Sequence, residues 1–419
     1  MIKYRFFKKI IYLILIFTLF SRFTPADNLP AGSMDNYIKK AMSVFQVPGV
    51  AVGVIHNNKI VFERGYGFLQ KNGDKIVDSN TSFAIASISK SFTSMALGIL
   101  VDEGKIKWED QVIDYLPQFR MYEPWVTANL QIRDLLIHHT GLPAVSGGTI
   151  WYGSDYTPEQ IIPKIRYIKP VSSFRSEYAY QNITFLVAGQ IISAITDTSW
   201  DQFIHKRVFF PVDMTRSTTS QKELRKLDNV ATPHAIIDEK LTAIEYRSHD
   251  NIGPAASINS CVSDLLNYVK LILNQGKFDS RQVVSKETIN KITSPEVSIP
   301  VTSTPKELQH MQNNFKAYGF GWFIKDYRGE KVVYHTGGVD GNRSIIIMLP
   351  WKKLGIVVLT NQEQWRIYNC IAYRIIDRLM DYPEFDYIKA YKKDLDIEKA
   401  EEQEKWKEWL ENRTPDTKP

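Results

Sequence analysis

Apolar and polar positions alternate along this chain with more than one rhythm. In Gly49 to Gly67 (GVAVGVIHNNKIVFERGYG) two β-rich runs flank His56-Asn57-Asn58-Lys59. A polar turn between two such runs predicts a hairpin. From Ile88 to Leu100 the residues Ile88, Phe92, Met95, Ala96, Ile99 and Leu100 keep helical spacing, with Gly104 just beyond. That spacing predicts a helix with one buried side. From about Val112 to Ile292 the pattern is mainly helical with long loops, as in Ile132–Ile137, Thr184–Ile195 and Val262–Asn274. Strand signals return at Gly319–Lys325, Lys331–His335, Arg343–Leu349 and Gly355–Thr360. A helix is expected near Tyr368–Met380.

Strands therefore open the chain, helices fill the middle and strands close it. The simplest packing joins both ends in one antiparallel sheet, with helices on its faces and a helical insertion beside it. The expected sheet part covers about 35–111 and 310–385, and the helical part about 112–309. A charged C-terminal helix or tail follows over 386–419, with Tyr391, Leu395, Trp406, Trp409 and Leu410 as a thin apolar stripe. A cleft between sheet part and helical part is the natural place for a site.

Composition sharpens this picture in three places. A 419-residue chain that is 44% hydrophobic can bury a large core. The net charge of +6 is concentrated at the N-terminus: residues 1–26 hold Lys3, Arg5, Lys8, Lys9 and Arg22 and no acid, which leaves 47 basic against 46 acidic residues in the rest. No nucleic-acid partner is expected from such a balance. The same N-terminus has basic residues before an apolar run, Ile10 to Phe20. That run is short against the roughly 20 residues a spanning helix needs, so it reads as a secretory signal, with Thr24-Pro25-Ala26 before Asp27 as the cleavage site. The protein is expected to be exported, periplasmic or secreted. An uncleaved anchor is the alternative, and the only expected route to a membrane. Cys261 and Cys370 allow one optional bridge and no disulfide framework.

Three short motifs carry candidate chemistry. In Ser87-Ile88-Ser89-Lys90 the Ser and Lys lie three apart, on one face of a helix. A Ser hydroxyl becomes a nucleophile when a neighbouring base takes its proton. A desolvated Lys can be that base, or can lower the pKa of another. A second match, Ser303-Thr304-Pro305-Lys306, sits in a loop-like stretch and reads as a decoy. Tyr180-Gln181-Asn182 precedes an apolar helix. Its Tyr could move a proton and its Asn amide could meet a substrate carbonyl, while a core Tyr and a helix-capping Asn is the plainer reading. His335-Thr336-Gly337-Gly338 ends an apolar strand. Glycine there lets a substrate approach the strand, and the Gly338 and Ser87 N–H groups could form an oxyanion hole. A strand followed by a glycine turn is again the plainer reading.

The ordered trio SISK, YQN and HTG resembles the signature of the class C β-lactamase-like serine hydrolases, with penicillin-binding proteins, D-amino peptidases and related esterases among them. The flanks FAIASISKSFTSMALGILVDEGKI, LQIRDLLIHHTGLP, FRSEYAYQNITFLVAGQII and YHTGGVDGNRS resemble the same family. WYGSDYTPEQII resembles a CubicO-type subgroup of it. The resemblance spans roughly residues 35 to 380. It implies an α/β (α+β) fold of β-lactamase/transpeptidase type, which agrees with the packing above. It also implies that Ser87 is acylated and that Lys90 and Tyr180 transfer protons, with the base between them left open. Asn182, His335, Thr336, Gly337 and Gly338 are then implied to bind substrate or oxyanion. Many β-lactamases of this type carry Lys where His335 stands. A mostly neutral His supplies no fixed charge for a β-lactam carboxylate. Arg343 is a candidate to supply it, against a plainer reading as a surface Arg.

The implied protein is a serine hydrolase on a small-molecule or peptide substrate: a D-amino peptide, a peptidoglycan fragment, a β-lactam or a small ester. No cofactor and no metal are expected, since no metal-ligand spacing or phosphate loop appears. His138 and His139 read as structural. The alternative is a slow or non-catalytic penicillin-binding or sensor module with the same fold. Oligomeric state stays open.

Overall fold

A computed structural model describes residue 29 and residues 31–412. The signal sequence expected over 1–26 lies outside the described residues. The main sheet has eight strands: β1 (Gly49–His56), β2 (Lys59–Gly67), β3 (Val297–Ser298), β4 (Lys316–Tyr318), β5 (Phe323–Tyr327), β6 (Glu330–Val339), β7 (Asn342–Leu349) and β8 (Leu354–Thr360). Their order is β2-β1-β8-β7-β6-β5-β4-β3, and every neighbouring pair is antiparallel. The two ends of the chain thus share one sheet. The first hairpin forms because Asn57 and Asn58 both accept positive φ (51° and 65°), the conformation a tight two-residue hairpin turn demands.

The longer helices are α1 (Ala31–Phe45), α2 (Ser89–Asp102), α3 (Ile183–Thr196), α4 (Val262–Leu273), α5 (Arg366–Leu379) and α6 (Tyr387–Asn412). β1 shows how the sheet is sandwiched. Val50, Val52 and Val54 pack with α1, α5 and α6, while Ala51 and Ile55 pack with α2 and α4. Both faces are covered, so the strand reads as one apolar run rather than an alternation. Among the described residues no helix is long and apolar enough to cross a membrane.

Helix α2 departs from the one-sided pattern read in the sequence: Ser89 through Leu100 are all buried. Apart from Lys90 its buried polar positions are small hydroxyls, and Ser89, Ser91 and Thr93 find partners inside. Thr93 Oγ1 donates to Pro254 O (2.7 Å), the Tyr268 hydroxyl to Ser91 Oγ (3.3 Å), and Ser89 Oγ accepts from the Ile258 N–H (3.0 Å). Satisfied this way, a helix with hydroxyls on every side can sit at the centre of the molecule.

Of the strand expected over 319–325 only residues 323–325 are strand, the start of β5; residues 319–322 form the turn from β4. In that turn Gly321 takes φ +76° and lies against the α2 backbone. A Cβ at Gly321 would stand 2.8 Å from Lys90 O. Cys261 and Cys370 are free and buried. Cys261 precedes α4 and Cys370 lies in α5, on opposite faces of the sheet.

Candidate active site

The chain enters α2 through a short turn, Ala86–Ile88. Ala86 is left-handed, with φ 49°, a conformation that costs a residue with a Cβ and is tolerated when the surroundings hold it. The turn is held: Ile85 N–H bonds to Ile258 O (3.0 Å), and Ser344 Oγ on β7 donates to Ile85 O (3.0 Å). Ser87 is the one partly exposed residue between Thr81 and Leu100. Its N–H also opens the helical segment, where backbone N–H groups lack a partner within the helix.

Lys90 is fully buried. Its Nζ lies 3.2 Å from Ser87 Oγ, 2.7 Å from Asn182 Oδ1 and 3.0 Å from Ala255 O. Desolvation holds its pKa well below the ordinary lysine range. A neutral amine has two N–H groups and one lone pair. In the neutral form that desolvation favours, Asn182 Oδ1 and Ala255 O, which can only accept, take the two N–H groups, and the lone pair is left for the Ser87 hydroxyl. The same bond fixes Asn182, because its Oδ1 is spent on Lys90 and its NH₂ is turned elsewhere.

Tyr180 lies beside this pair, with Lys90 Nζ 4.8 Å from its ring centroid. Burial pushes its phenol above the ordinary tyrosine range, and a hydrogen bond with Ser87 pulls partly back. At neutral pH the phenol keeps its proton. Ser87, Lys90, Tyr180 and Asn182 are therefore brought together, as their order in the sequence suggests.

The third motif forms the open edge of β6. β5 pairs with β6 only from Glu330 to Tyr334, so residues 335–339 have β7 on one side and no strand on the other. Val339 and Asn342 close the two-residue turn and form a hydrogen-bonded pair. By alternation Thr336 and Gly338 then direct their N–H and C=O groups to the open edge. Gly337 faces the nucleophile turn, and a Cβ there would stand 2.0 Å from Ile85 O. Only glycine lets this edge come so near Ser87.

Side chains in this stretch behave differently from the sequence expectation. His335 is 1% exposed. Its Nδ1 lies 2.7 Å from Thr336 O and its Nε2 2.9 Å from the Tyr318 hydroxyl. Since Thr336 O can only accept, Nδ1 carries the hydrogen and Nε2 accepts from Tyr318. Burial, reinforced by Lys90, lowers the imidazole pKa to about 3. His335 thus supports the site from behind, neutral and with both nitrogens engaged. Thr336 offers its backbone to the cleft while its hydroxyl faces Tyr368 on the far side of the sheet.

Arg343 is corrected. It pairs with Gly338 on that same far side, and its guanidinium donates to Val339 O (2.8 Å) and Asn342 O (2.9 Å) of its own hairpin. Strand alternation turns it away from the cleft, so it supplies no charge there.

Tyr318 and His138 were not singled out for the site. The His138 ring lies 4.3 Å from Tyr180 and 4.5 Å from Tyr318. Its Nδ1 accepts from the Gln181 N–H at 3.0 Å, which holds the YQN segment. A left-handed backbone at His138 (φ 60°) aims the ring inward. Among the described residues no group of His, Cys, Asp or Glu could hold a metal ion.

A Ser–Lys pair under an open strand edge, between an antiparallel sheet and a helical part, defines the β-lactamase/transpeptidase-like fold. The chain belongs to the beta-lactamase family: the model of the family described as Beta-lactamase matches residues 34–377. Among curated proteins it is similar to an unguisins hydrolase of Aspergillus violaceofuscus, 25% identical over 88% of this chain and 68% of that one. It is also similar to protein flp of Staphylococcus aureus, 25% identical over 78% of this chain and 62% of that one. Among solved structures, an octameric penicillin-binding protein homologue from Pyrococcus abyssi superposes with a TM-score of 0.74, at 25% identity over 84% of this chain and 78% of that one. A D-stereospecific amidohydrolase from Streptomyces shares the fold with a TM-score of 0.61, at 18% identity over 78% of this chain and 94% of that one.

Proposed function

We propose that this protein is a serine hydrolase that forms an acyl-enzyme on Ser87 from an amide or ester. The observation that carries the reading is the buried Lys90 amine 3.2 Å from Ser87 Oγ, with its two other contacts spent on acceptors. Lys90 takes the Ser87 proton as Oγ attacks the carbonyl carbon. The Ser87 and Gly338 N–H groups receive the developing oxyanion. The protonated Tyr180 gives its proton to the leaving group as the scissile bond breaks, and regains one from Lys90. Water then cleaves the acyl-enzyme, with Lys90 again as base. The Asn182 NH₂ meets the carbonyl of the bound substrate.

Neither the neutral, enclosed His335 nor the averted Arg343 supplies a fixed cation at the strand edge for a substrate carboxylate. That favours small esters and peptide amides, D-amino peptides among them, over β-lactams. The hydrolase names of two relatives agree with the reaction class. The N-terminal run supports export, and the protein is proposed to act in the periplasm or outside the cell.

The test is hydrolysis of p-nitrophenyl acetate by the mature protein and by Ser87→Ala. The expected result is loss of about 10³-fold or more in kcat/KM. A Ser87→Ala protein as active as the wild type would remove Ser87 from the reaction.

A further inference from the structure

Three segments that leave the catalytic groups meet again beside the cleft. The first follows Val145, whose N–H bonds to Tyr180 O (2.7 Å), and reaches Tyr152. The second runs from Arg247 towards Ala255, the carbonyl partner of Lys90. The third is the β6–β7 turn, where Asp340 stands two residues after Gly338. At their meeting point the Tyr152 hydroxyl lies 2.9 Å from both Asp340 carboxylate oxygens, and Arg247 Nε donates to Asp340 Oδ2 at 2.8 Å. The Arg247 guanidinium covers the Tyr152 ring at 4.6 Å. Asn251 Nδ2 fastens the first segment through Trp151 O (2.9 Å) and Ser154 O (3.2 Å). A small cavity lies beside this cluster: its lining includes Ala84, Ala256 and Val339 as well as Arg247, His249 and Asp340.

The position of the cluster along the strand edge gives it a meaning. Tyr180 stacks parallel to Phe323 at 6.4 Å, and Phe323 pairs with Tyr334 at the start of the open edge. A leaving group that takes its proton from Tyr180 therefore departs toward that end. The acyl part then extends the opposite way, past Gly338, and runs into Tyr152, Asp340 and Arg247. We infer that these three side chains form a clasp that closes the acyl end of the cleft and limits the length of the acyl group transferred to Ser87. The inference rests on the acyl-enzyme reading above. All three groups touch solvent, and exposed ion pairs contribute little energy, so removing one bond opens the clasp without dismantling the fold.

The experiment compares kcat/KM for p-nitrophenyl acetate, butyrate and octanoate in the wild type, Tyr152→Phe, Tyr152→Ala and Asp340→Asn, with Ser87→Ala alongside. The octanoate-to-acetate ratio is expected to rise about tenfold or more in the clasp variants, on the scale a hydrophobic pocket discriminates methylenes. A ratio equal to that of the wild type in all three variants, with turnover still lost in Ser87→Ala, would overturn the clasp and leave the hydrolase reading standing. Turnover independent of Ser87, or no turnover of any ester, would overturn both.

Discussion

Lys90 links the chemistry of the site to the stability of the protein. In the unfolded chain it carries its proton at neutral pH; in the folded chain burial holds its pKa well below the ordinary lysine value. Between the lowered folded value and the ordinary one the unfolded state binds more protons, so over that range the contribution of Lys90 to stability rises with pH. Lys90→Met is expected to abolish ester turnover. Its stability relative to the wild type should decline between pH 7 and 10, by at most about 1.4 kcal/mol per pH unit. Thermal melts of both proteins across that range check this; a difference independent of pH would show that Lys90 keeps its proton on folding. At this scale the sequence was legible where chemistry and spacing coincide, as in Ser87 with Lys90 three residues on. It was silent on Tyr318 and His138. A tyrosine ending a short strand and a histidine after a helix look like any others until the fold sets them against His335 and Tyr180.

Elements meet at backbone, and there the site is least forgiving. β6 reaches the nucleophile turn through Gly337, where a Cβ would stand 2.0 Å from Ile85 O and 2.3 Å from Ser344 Oγ. Gly337→Ala must push the two elements apart. Overpacking of this kind costs about 1–3 kcal/mol, and more where backbone cannot yield. The expected outcome is a lowered denaturation midpoint together with a fall in kcat larger than the change in KM, because the proposed oxyanion donors, the Gly338 and Ser87 N–H groups, move relative to each other. Unchanged kcat in a folded variant would show that the two elements adjust independently. The first hairpin was readable because its turn residues declare their conformation locally. The break between β4 and β5 was not, since its cause is the distant Lys90 backbone pressing on Gly321. The one-sided reading of α2 failed for a related reason, as buried hydroxyls look polar in the sequence and their partners come from other elements.

On the scale of the molecule, the layers explain where the chain can be cut. Leu29, which is 6% exposed, packs with Met34, Ile38, Ala41 and Phe45 of α1 against the sheet. The exported protein is expected to begin at Asp27 and to retain activity, which N-terminal sequencing of the secreted form checks. A membrane-bound form that keeps residues 1–26 would favour the anchor instead. The same layering has a consequence for synthesis. β1 lies between β2 and β8, with Val50 opposite Thr360, so this interior strand of the sheet waits for a partner made some 300 residues later. At roughly 5–20 residues per second that is a delay of about 15–60 s. Throughout it the Ser87 segment exists without the strand edge that Gly337 brings to it. A nascent chain therefore lacks the assembled Ser87 site until the last strand closes the sheet.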